Sequence, residues 1–280
     1  MIKILTDSSS NMTKEQADEL GVTLLPLTVV FGDKEYRDGI DIDATAFYDM
    51  LINEKDHPHT SQINTAVFED IFSAAKANGD TLLVLLISSA LSGTTSAARI
   101  AKEEVGYDGI YIYDTLNTTV MLKALVLEAA RHADEPIEDV LAHLDDVRSR
   151  QELYAIVDTL EYLQKGGRIG KITATAGTLL QIKPILTFAA DGQLQSVAKV
   201  RGRNQVKDKL VELTVQACAG HRRYNLAVAN GGDPEGMELV RRKLTAALPD
   251  YDHIWEGEID GTLSVYIGEG VLGAAVQILD

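Results

Sequence analysis

The sequence predicts an α/β protein built from two domains, and three observations support this. Over the first 150 residues, short apolar runs such as 82–87 alternate with helical patterns, as in a parallel sheet covered by helices. Clusters of hydroxyl side chains follow the runs at 2–6 and 82–87. Beyond residue 150 the pattern changes, and Asp191-Gly192 lies between two apolar runs as in a β-hairpin. We therefore predict a parallel-sheet domain over 1–153 and an α/β domain with a mixed or antiparallel sheet over 154–280.

The predicted elements of the first domain follow from capping residues and from periodicity. Thr13 and Gln16 fit a capping box that begins a short helix, and Gly21 ends this helix. Asp43 or Thr45 caps the next helix. The predicted helices are 14–20, 46–53, 64–78, 95–105, 117–132 and 137–151. The predicted strands are 2–6, 22–31, 82–87 and 110–113. The apolar stripe of helix 64–78 consists of Val67, Phe68, Ile71, Phe72 and Ala75.

The second domain is predicted from strand-like runs separated by two helical patterns. The predicted strands are 155–160, 182–189, 193–201, 225–229 and 263–267, and the predicted helices are 205–219 and 234–248. Strands 182–189 and 193–201 are the two arms of the expected hairpin. Their antiparallel pairing is the reason to expect a mixed or antiparallel sheet.

The composition excludes several classes of protein. A net charge of −16 argues against nucleic-acid binding, which needs a basic surface. The single cysteine, Cys218, allows no internal disulfide and no cysteine zinc site. The longest apolar run, 82–87, is far shorter than the roughly 20 residues that span a bilayer. We expect a soluble, cytoplasmic protein with no stable membrane insertion.

Short motifs that resemble catalytic or metal-binding signatures lack the context that each needs. Residues 166–171 resemble a phosphate loop, but Ile172 stands where Ser or Thr should contact magnesium. His57-Pro58-His59 offers two imidazoles, yet its loop context favours an exposed turn. No histidine can be assigned to any serine as a base. We therefore predict no catalytic residue, no metal site and no cofactor, and a binding protein rather than an enzyme.

The hydroxyl clusters at 7–10, 60–62 and 88–95 have two interpretations. Ser, Thr and Asp are preferred at helix N-caps, so any one cluster is more simply a cap. Three such clusters in one chain favour a binding site instead, because ligands of parallel sheets bind beyond the carboxyl ends of the strands. Free N–H groups of helix N-termini also suit an anion.

Together these residues resemble the DegV family of bacterial fatty-acid-binding proteins, nearly from end to end. The motifs that carry the resemblance are Asp7-Ser8-Ser9-Ser10, Thr60-Ser61-Gln62, 88–94, 113–115, 160–169, 180–186 and 199–202. The resemblance implies a two-domain DegV-like fold with one long-chain fatty acid in a tunnel between the domains. It implies lipid-binding roles for Thr60, Ser61, Ser92, Gly93, Thr94 and Tyr266.

Two positions depart from the family pattern that the resemblance implies. Tyr266 stands where the family has a histidine, and Glu269 stands where it has a proline. A tyrosine still donates a hydrogen bond, but it carries no positive charge. A carboxylate is therefore expected to bind less tightly here, and Glu269 opposes an anion unless its side chain points away.

The resemblance also implies a partner, because family members present the bound acid to a separate ATP-dependent kinase that makes acyl-phosphate. The expected partner is the ATP-binding subunit of a fatty acid kinase. Residues 165–209 contain nine basic and two acidic side chains, a local charge of +7. Arg168, Arg201 and Arg203 in this stretch are the expected docking residues. The stretch can also be read as an ordinary solvated basic face.

Two other functions stay open from the sequence. One is a stand-alone enzyme that acts on a small anionic or lipid molecule, which needs a nucleophile and a base within reach of each other. The other is a ligand sensor whose bound molecule only alters partner binding. The basic stretch is compatible with either form of partner recognition.

Overall fold

A four-stranded parallel sheet occupies the amino-terminal half of the chain. The computed structural model describes residues 1–53, 57–172 and 182–280. In spatial order the strands are β2 (Val22–Leu25), β1 (Lys3–Asp7), β6 (Leu82–Leu86) and β7 (Ile110–Asp114). All three neighbouring pairs are parallel, and β1 lies inside the sheet. The predicted parallel sheet is therefore confirmed.

Helices cover both faces of this sheet, because its strands are apolar on both sides. On one face, Leu83 and Leu85 pack under α5 (Thr119–Arg131) and α6 (Ile137–Ser149). On the other face lie α3 (Thr65–Asn78) and α4 (Thr94–Val105). The short α1 (Lys14–Leu20) precedes β2. Val84 and Leu86 are fully buried against α3 and α4.

Local capping residues set the helix ends as predicted. Thr13 accepts a hydrogen bond from the Gln16 amide, and both halves of the capping box are formed. Gly21 ends α1 with a positive φ of 66°. Asp43 accepts a hydrogen bond from the Ala46 amide at the start of the helix Ala44–Asn53. One member of the predicted stripe on α3 is wrong, because Val67 is 42% exposed while its neighbours face the core.

A small antiparallel sheet interrupts the first half. Its strands, in spatial order, are β4 (Lys34–Arg37), β3 (Thr28–Phe31) and β5 (His59–Ser61), with α2 (Ala44–Asn53) packed beside them. The single strand predicted over 22–31 is wrong. Pro26, which has no N–H to donate, separates β2 from β3, and the two strands join different sheets.

A six-stranded mixed sheet fills the carboxyl-terminal half. In spatial order its strands are β10 (Leu194–Arg201), β9 (Ile182–Phe188), β8 (Gln151–Ile156), β13 (Val271–Ile278), β11 (Tyr224–Gly231) and β12 (His253–Glu258). Only β11 and β12 pair in parallel. The predicted hairpin is confirmed as β9 and β10, which turn at Asp191-Gly192. A mixed sheet, one of the two predicted types, is therefore present.

The outer face of the mixed sheet packs against two long helices, and its inner face turns toward the parallel sheet. The outer helices are α8 (Arg203–Ala217) and α9 (Pro234–Ala247). The inner face packs with α7 (Glu161–Lys165) and α10 (Gly261–Ile267). Ile87, Val120 and Met121 from the first half join this inner cluster. Apolar contacts thus connect the two halves across the inner face.

Two predicted elements of the second half are wrong. The strand predicted over 263–267 is the helix α10, which Asp260 caps through the Leu263 amide and which ends at Gly268. Its β-branched residues suggested a strand, but the two capping residues determine the helix. The helix predicted over 137–151 ends at Ser149, and β8 begins at Gln151 rather than at 155.

The remaining predictions on organisation have different outcomes. The chain passes from the parallel sheet to the mixed sheet between Ser149 and Gln151, and the division at 153 stays a prediction. Within the described residues, every helix is too short or too polar to cross a membrane. Leu180 and Gln181, part of one family motif, lie outside the described residues.

Candidate functional site

A cavity of about 390 Å³ lies between the parallel sheet and the inner face of the mixed sheet. Both halves of the chain line it. Ile87 and Leu91 follow the carboxyl end of β6, and Thr118 to Val120 begin α5. Leu153 and Leu186 come from the mixed sheet. Its position beyond the end of a parallel strand agrees with the rule for ligand sites in such sheets.

Small residues in register across three strands make room for the cavity. On β13, Gly273 is paired with Ala155 of β8 on one side and with Ala229 of β11 on the other. All three line the cavity, as does Ala275 two residues further along β13. Because side chains alternate along a strand, these positions share one face. The space that larger side chains would occupy is left open.

Most of the remaining wall is aliphatic. Leu163 of α7 and Leu263 of α10 close one side of the cavity, and Val157 and Val271 extend the apolar surface of the sheet. Leu27 joins them from the segment before β3. Such a wall favours an apolar ligand, because each buried CH₂ contributes about 0.8 kcal/mol.

Hydroxyl groups from distant parts of the chain form one polar region of the wall. Thr60 Oγ1 lies 2.6 Å from Tyr266 Oη, although the two residues are 206 positions apart. Ser92 and Gly93 line the same cavity from the loop before α4. The absence of a side chain at Gly93 lets the Gln62 amide approach this loop closely, and a Cβ there would push that amide aside.

Arg168 adds a positive charge to this polar region. Its guanidinium lies over the Tyr266 ring, 4.8 Å from the ring centroid. Its Nε and Nη1 atoms donate to the carbonyls of Leu91 and Gly166, at 3.0 and 2.7 Å. The side chain lines the cavity. The sequence had pointed to Arg168 only as a docking residue, and its place on the cavity wall was missed.

The helix α10 holds Tyr266 in place through a buried group of carboxyls. Asp260 caps α10, and Asp38 accepts hydrogen bonds from the Gly261 amide and the Thr262 hydroxyl, at 3.1 and 2.6 Å. Burial raises the pKa of both carboxyls. Asn11 donates to Asp260 at 2.8 Å. The first turn of α10 is thus bonded directly to the amino-terminal half.

The hydroxyl cluster at 8–10 has a structural role rather than a place on the cavity wall. Ser8 to Ser10 form a buried 3₁₀ turn. Ser8 donates to Asp38, and Asp7 accepts from Ser9 and from the Ile87 amide. Burial raises the pKa of Asp7 to about 6, and these hydrogen bonds limit the rise. For this cluster the capping interpretation holds.

The other predicted site residues fall into three groups. Thr60, Ser61, Ser92, Gly93 and Tyr266 line the cavity together. Thr94 stands behind Ser92, and their hydroxyl oxygens are 2.9 Å apart. Exposed positions at the start of α8 and the end of β10 hold the two other predicted docking residues, Arg203 and Arg201.

Ion pairs offset much of the basic stretch. Lys171 pairs with Asp191 at 2.7 Å, and Lys183 pairs with Asp158 at 3.0 Å. The carboxylate of Asp233 lies 3.4 Å from Lys207 and 3.9 Å from Arg203. Asp191 is already included in the local charge of +7, but Asp158 and Asp233 lie outside the stretch and reduce its net charge further. Glu269 is exposed and is not among the residues that line the cavity.

Comparison with known proteins identifies the family. The family model of DegV proteins matches residues 1–278. The chain belongs to the DegV family. A DegV domain-containing protein of Clostridium perfringens is 32% identical over 279 residues, which cover 99% of this chain and 98% of that one.

Solved DegV structures share the whole fold. A fatty-acid-binding DegV family protein of Thermus thermophilus is 28% identical, with a TM-score of 0.92 and 99% of each chain covered. The fatty-acid-binding DegV protein of Bacillus subtilis is 26% identical, with a TM-score of 0.88 and the same coverage. A stearic-acid-binding protein of Eubacterium ventriosum is 26% identical, with a TM-score of 0.86, and covers 99% of this chain and 98% of its own.

Proposed function

We propose that this DegV protein binds one long-chain fatty acid in the cavity and presents the carboxylate to a separate ATP-dependent kinase. One observation supports the proposal most strongly. A largely aliphatic cavity between the two halves carries a region of hydroxyls and a guanidinium, where Thr60, Tyr266 and Arg168 meet. The fatty-acid-binding relatives from Thermus thermophilus and Bacillus subtilis support it as well.

The acyl chain supplies most of the affinity in this proposal, and the polar region sets its direction. Burying 14 to 16 methylenes contributes about 0.8 kcal/mol each, before the costs of binding are subtracted. Hydrogen bonds to a charged group contribute about 1.5–3 kcal/mol each. Thr60, Ser92 and Tyr266 donate to the carboxylate, and Arg168 offsets its charge. The tail then lies along the small residues of β13.

The ligand test is denaturing mass spectrometry of the purified protein, combined with a double substitution. We expect a long-chain fatty acid to be released from the native protein. Thr60→Ala with Ser92→Ala should weaken fatty-acid binding at least tenfold, because two hydrogen bonds to the carboxylate are lost. Ser89→Ala is the control, since Ser89 is exposed in the same loop and does not line the cavity.

Empty protein that also refuses added fatty acids would reject the proposed ligand. An unchanged affinity in the double variant would reject the proposed place of the carboxylate. Because the control variant leaves the cavity wall intact, equal losses in both variants would point to a general disturbance of the loop.

The partner test is charge reversal at the exposed docking residues. Arg201→Glu with Arg203→Glu should abolish acyl-phosphate formation by the added kinase subunit. Carboxylates would then replace the positive charges that are proposed to dock this subunit. Fatty-acid binding should stay unchanged, since neither residue lines the cavity. Arg242→Glu, at an exposed position of α9, is the matched control. Full acyl-phosphate formation in the double variant would reject this docking surface.

A further inference from the structure

We propose that Glu128, His132 and His143 form a zinc-binding site where the end of α5 meets α6. Their donor atoms lie within 4.8 Å of one another. Two imidazoles and one carboxylate are a donor set that Zn²⁺ accepts, with the fourth position left to water. The site does not rest on the proposed function.

The two distances from the Glu128 carboxylate to the imidazole nitrogens are close to those of a tetrahedral zinc site. Glu128 Oε2 lies 3.1 Å from His143 Nε2 and 3.9 Å from His132 Nε2. Donor atoms about 2.0–2.1 Å from a tetrahedral zinc are about 3.4 Å apart. Both distances differ from this value by a few tenths of an ångström. The longer one exceeds hydrogen-bond range, so Glu128 and His132 are not hydrogen-bonded to each other.

A second carboxylate fixes the nitrogen that His132 presents. Glu135 Oε1 lies 2.8 Å from His132 Nδ1. A hydrogen bond there keeps the proton on Nδ1 and leaves the lone pair of Nε2 directed at Glu128. The same arrangement of carboxylate, histidine and metal recurs at zinc sites. Glu135 is therefore a positioning residue in this proposal.

Burial distinguishes Glu128 from an ordinary surface acid. Its side chain is 11% exposed, whereas those of His132 and His143 are about one-third exposed, at 31% and 32%. Arg131 Nη1 bonds Oε1 of Glu128 at 2.6 Å, so Oε2 alone faces the two imidazoles. A buried oxygen thus forms the floor of the site, and the exposed rings leave solvent access for the ion and its water.

The location separates this site from the cavity. Val120 lines the cavity at the start of α5, and Glu128 lies eight residues further along, about 12 Å at 1.5 Å per residue. A bound zinc would join α5 to α6 on the face of the parallel sheet that these two helices cover. Its direct consequence is greater stability of this helix pair.

The test uses tag-free, metal-stripped protein titrated with Zn²⁺. We expect one zinc per chain and a rise in melting temperature of roughly 5 °C when zinc is at 100 times its dissociation constant. His132→Gln with His143→Gln should abolish the binding and the rise. Glu135→Gln should weaken binding about 10- to 100-fold. His253→Gln is the matched control, because His253 is exposed on β12, outside the site.

Two outcomes would overturn the zinc site. One is that the wild type binds no more zinc than the double histidine variant. Glu128 would then take part only in an ion-pair network. The other comes from an anomalous difference map of zinc-soaked wild-type crystals, which needs no variant. Density between Glu128, His132 and His143 is expected there, and density elsewhere or none would reject the site.

Discussion

At the scale of the residue, Tyr266 is held by contacts on both its ring and its hydroxyl. Arg168 lies over the ring, and Gly166 approaches so closely that a side chain there would collide with it. The hydroxyl lies 2.6 Å from Thr60 Oγ1. Tyr266 is therefore fixed in the polar region, where its hydroxyl can donate a hydrogen bond but adds no charge.

Two substitutions at Tyr266 separate the hydroxyl from the charge. Tyr266→Phe removes only the hydroxyl and should weaken fatty-acid binding about tenfold or more. Tyr266→His should tighten binding several-fold at pH 6 but not at pH 8, because an imidazole with a pKa near 6.5 is charged only at the lower value. Displacement of a fluorescent fatty acid at both pH values measures each effect.

The matched control for Tyr266→Phe is Tyr107→Phe, since Tyr107 bonds the Asp80 carbonyl away from the cavity. A loss of affinity in the control would show that the assay responds to general destabilisation. If Tyr266→His binds no better at pH 6 than at pH 8, then Tyr266 does not face the carboxylate.

At the scale of the element, strand β13 determines whether the cavity exists. Gly273 stands at its centre, directly between Ala155 and Ala229 of the neighbouring strands. A Cβ added at Gly273 would meet its nearest atoms only at 3.8 Å, which is ordinary contact. A larger side chain is therefore accepted by the backbone and would extend into the cavity.

Gly273→Val should lower fatty-acid affinity at least tenfold without lowering the melting temperature of the ligand-free protein. The valine fills space that the acyl chain needs, and replacing a strand glycine reduces the entropy of the unfolded chain. Calorimetric titration and thermal melting measure the two effects. Gly257→Val on β12 is the control, because that position has open space and does not line the cavity. Unimpaired binding by Gly273→Val would place the ligand elsewhere.

At the scale of the whole molecule, buried carboxyls join the two halves. Asp7 ends β1, Asp38 follows β4, and Asp260 caps α10, so three distant segments meet. Asn11 and Ser8 bond this group from the amino-terminal half. Burial raises the pKa of all three carboxyls, that of Asp7 to about 6. The junction that positions Tyr266 is therefore sensitive to pH.

The unfolding free energy should fall as the pH rises from about 4 to about 6. The folded protein keeps the Asp7 proton up to about pH 6, whereas the unfolded chain releases it near pH 3.8. The stability linked to this proton is fully present below the pKa of Asp7 in the unfolded chain. It is lost as the pH rises through the pKa of Asp7 in the folded protein. For Asp7 alone this amounts to about 3 kcal/mol.

Asp260→Asn tests the same junction, because asparagine caps a helix as well as aspartate does and carries no charge. The variant should have a higher unfolding free energy than the wild type at pH 8, because burial disfavours the charged carboxyl. The difference should shrink toward pH 5, because a lower pH favours the protonated, uncharged carboxyl. Urea unfolding at both pH values measures it, with Asp250→Asn at an exposed position as the control. If the variant is less stable than the wild type at both pH values, burial of the charged Asp260 carboxyl does not destabilise the fold.

Parts of the fold that depend on local signals were predictable. The capping box at Thr13 and Gln16 and the glycine stop at Gly21 act within one turn of helix, so neighbouring residues alone specify them. Where local signals conflict, the prediction was wrong. The β-branched residues of 263–267 suggested a strand, although Asp260 and Gly268 at its ends are the capping residues of a helix.

The candidate site was predictable only where a family motif marked a residue. Thr60 and Ser92 belong to such motifs, and both line the cavity. Tyr266 was expected there only from its position in the family pattern, and it lines the cavity as well. Arg168 also belongs to a family motif, but no local sequence signal showed that its guanidinium lies over Tyr266. Glu128 and His132 are four residues apart in the sequence, and that spacing is the available sign of the proposed zinc site. The missing information was the position of His143 on the next helix.

By itself the sequence determined the alternation of strands and helices, the parallel sheet and the residue types available to hold a polar head group, because periodicity and capping act over a few neighbouring positions. Only the tertiary structure decided that Ala155, Gly273 and Ala229 lie in register and leave a cavity. Small and aliphatic residues look the same in a chain whether they fill a core or line a space. Strand pairing between positions 44 and 118 residues apart makes that difference.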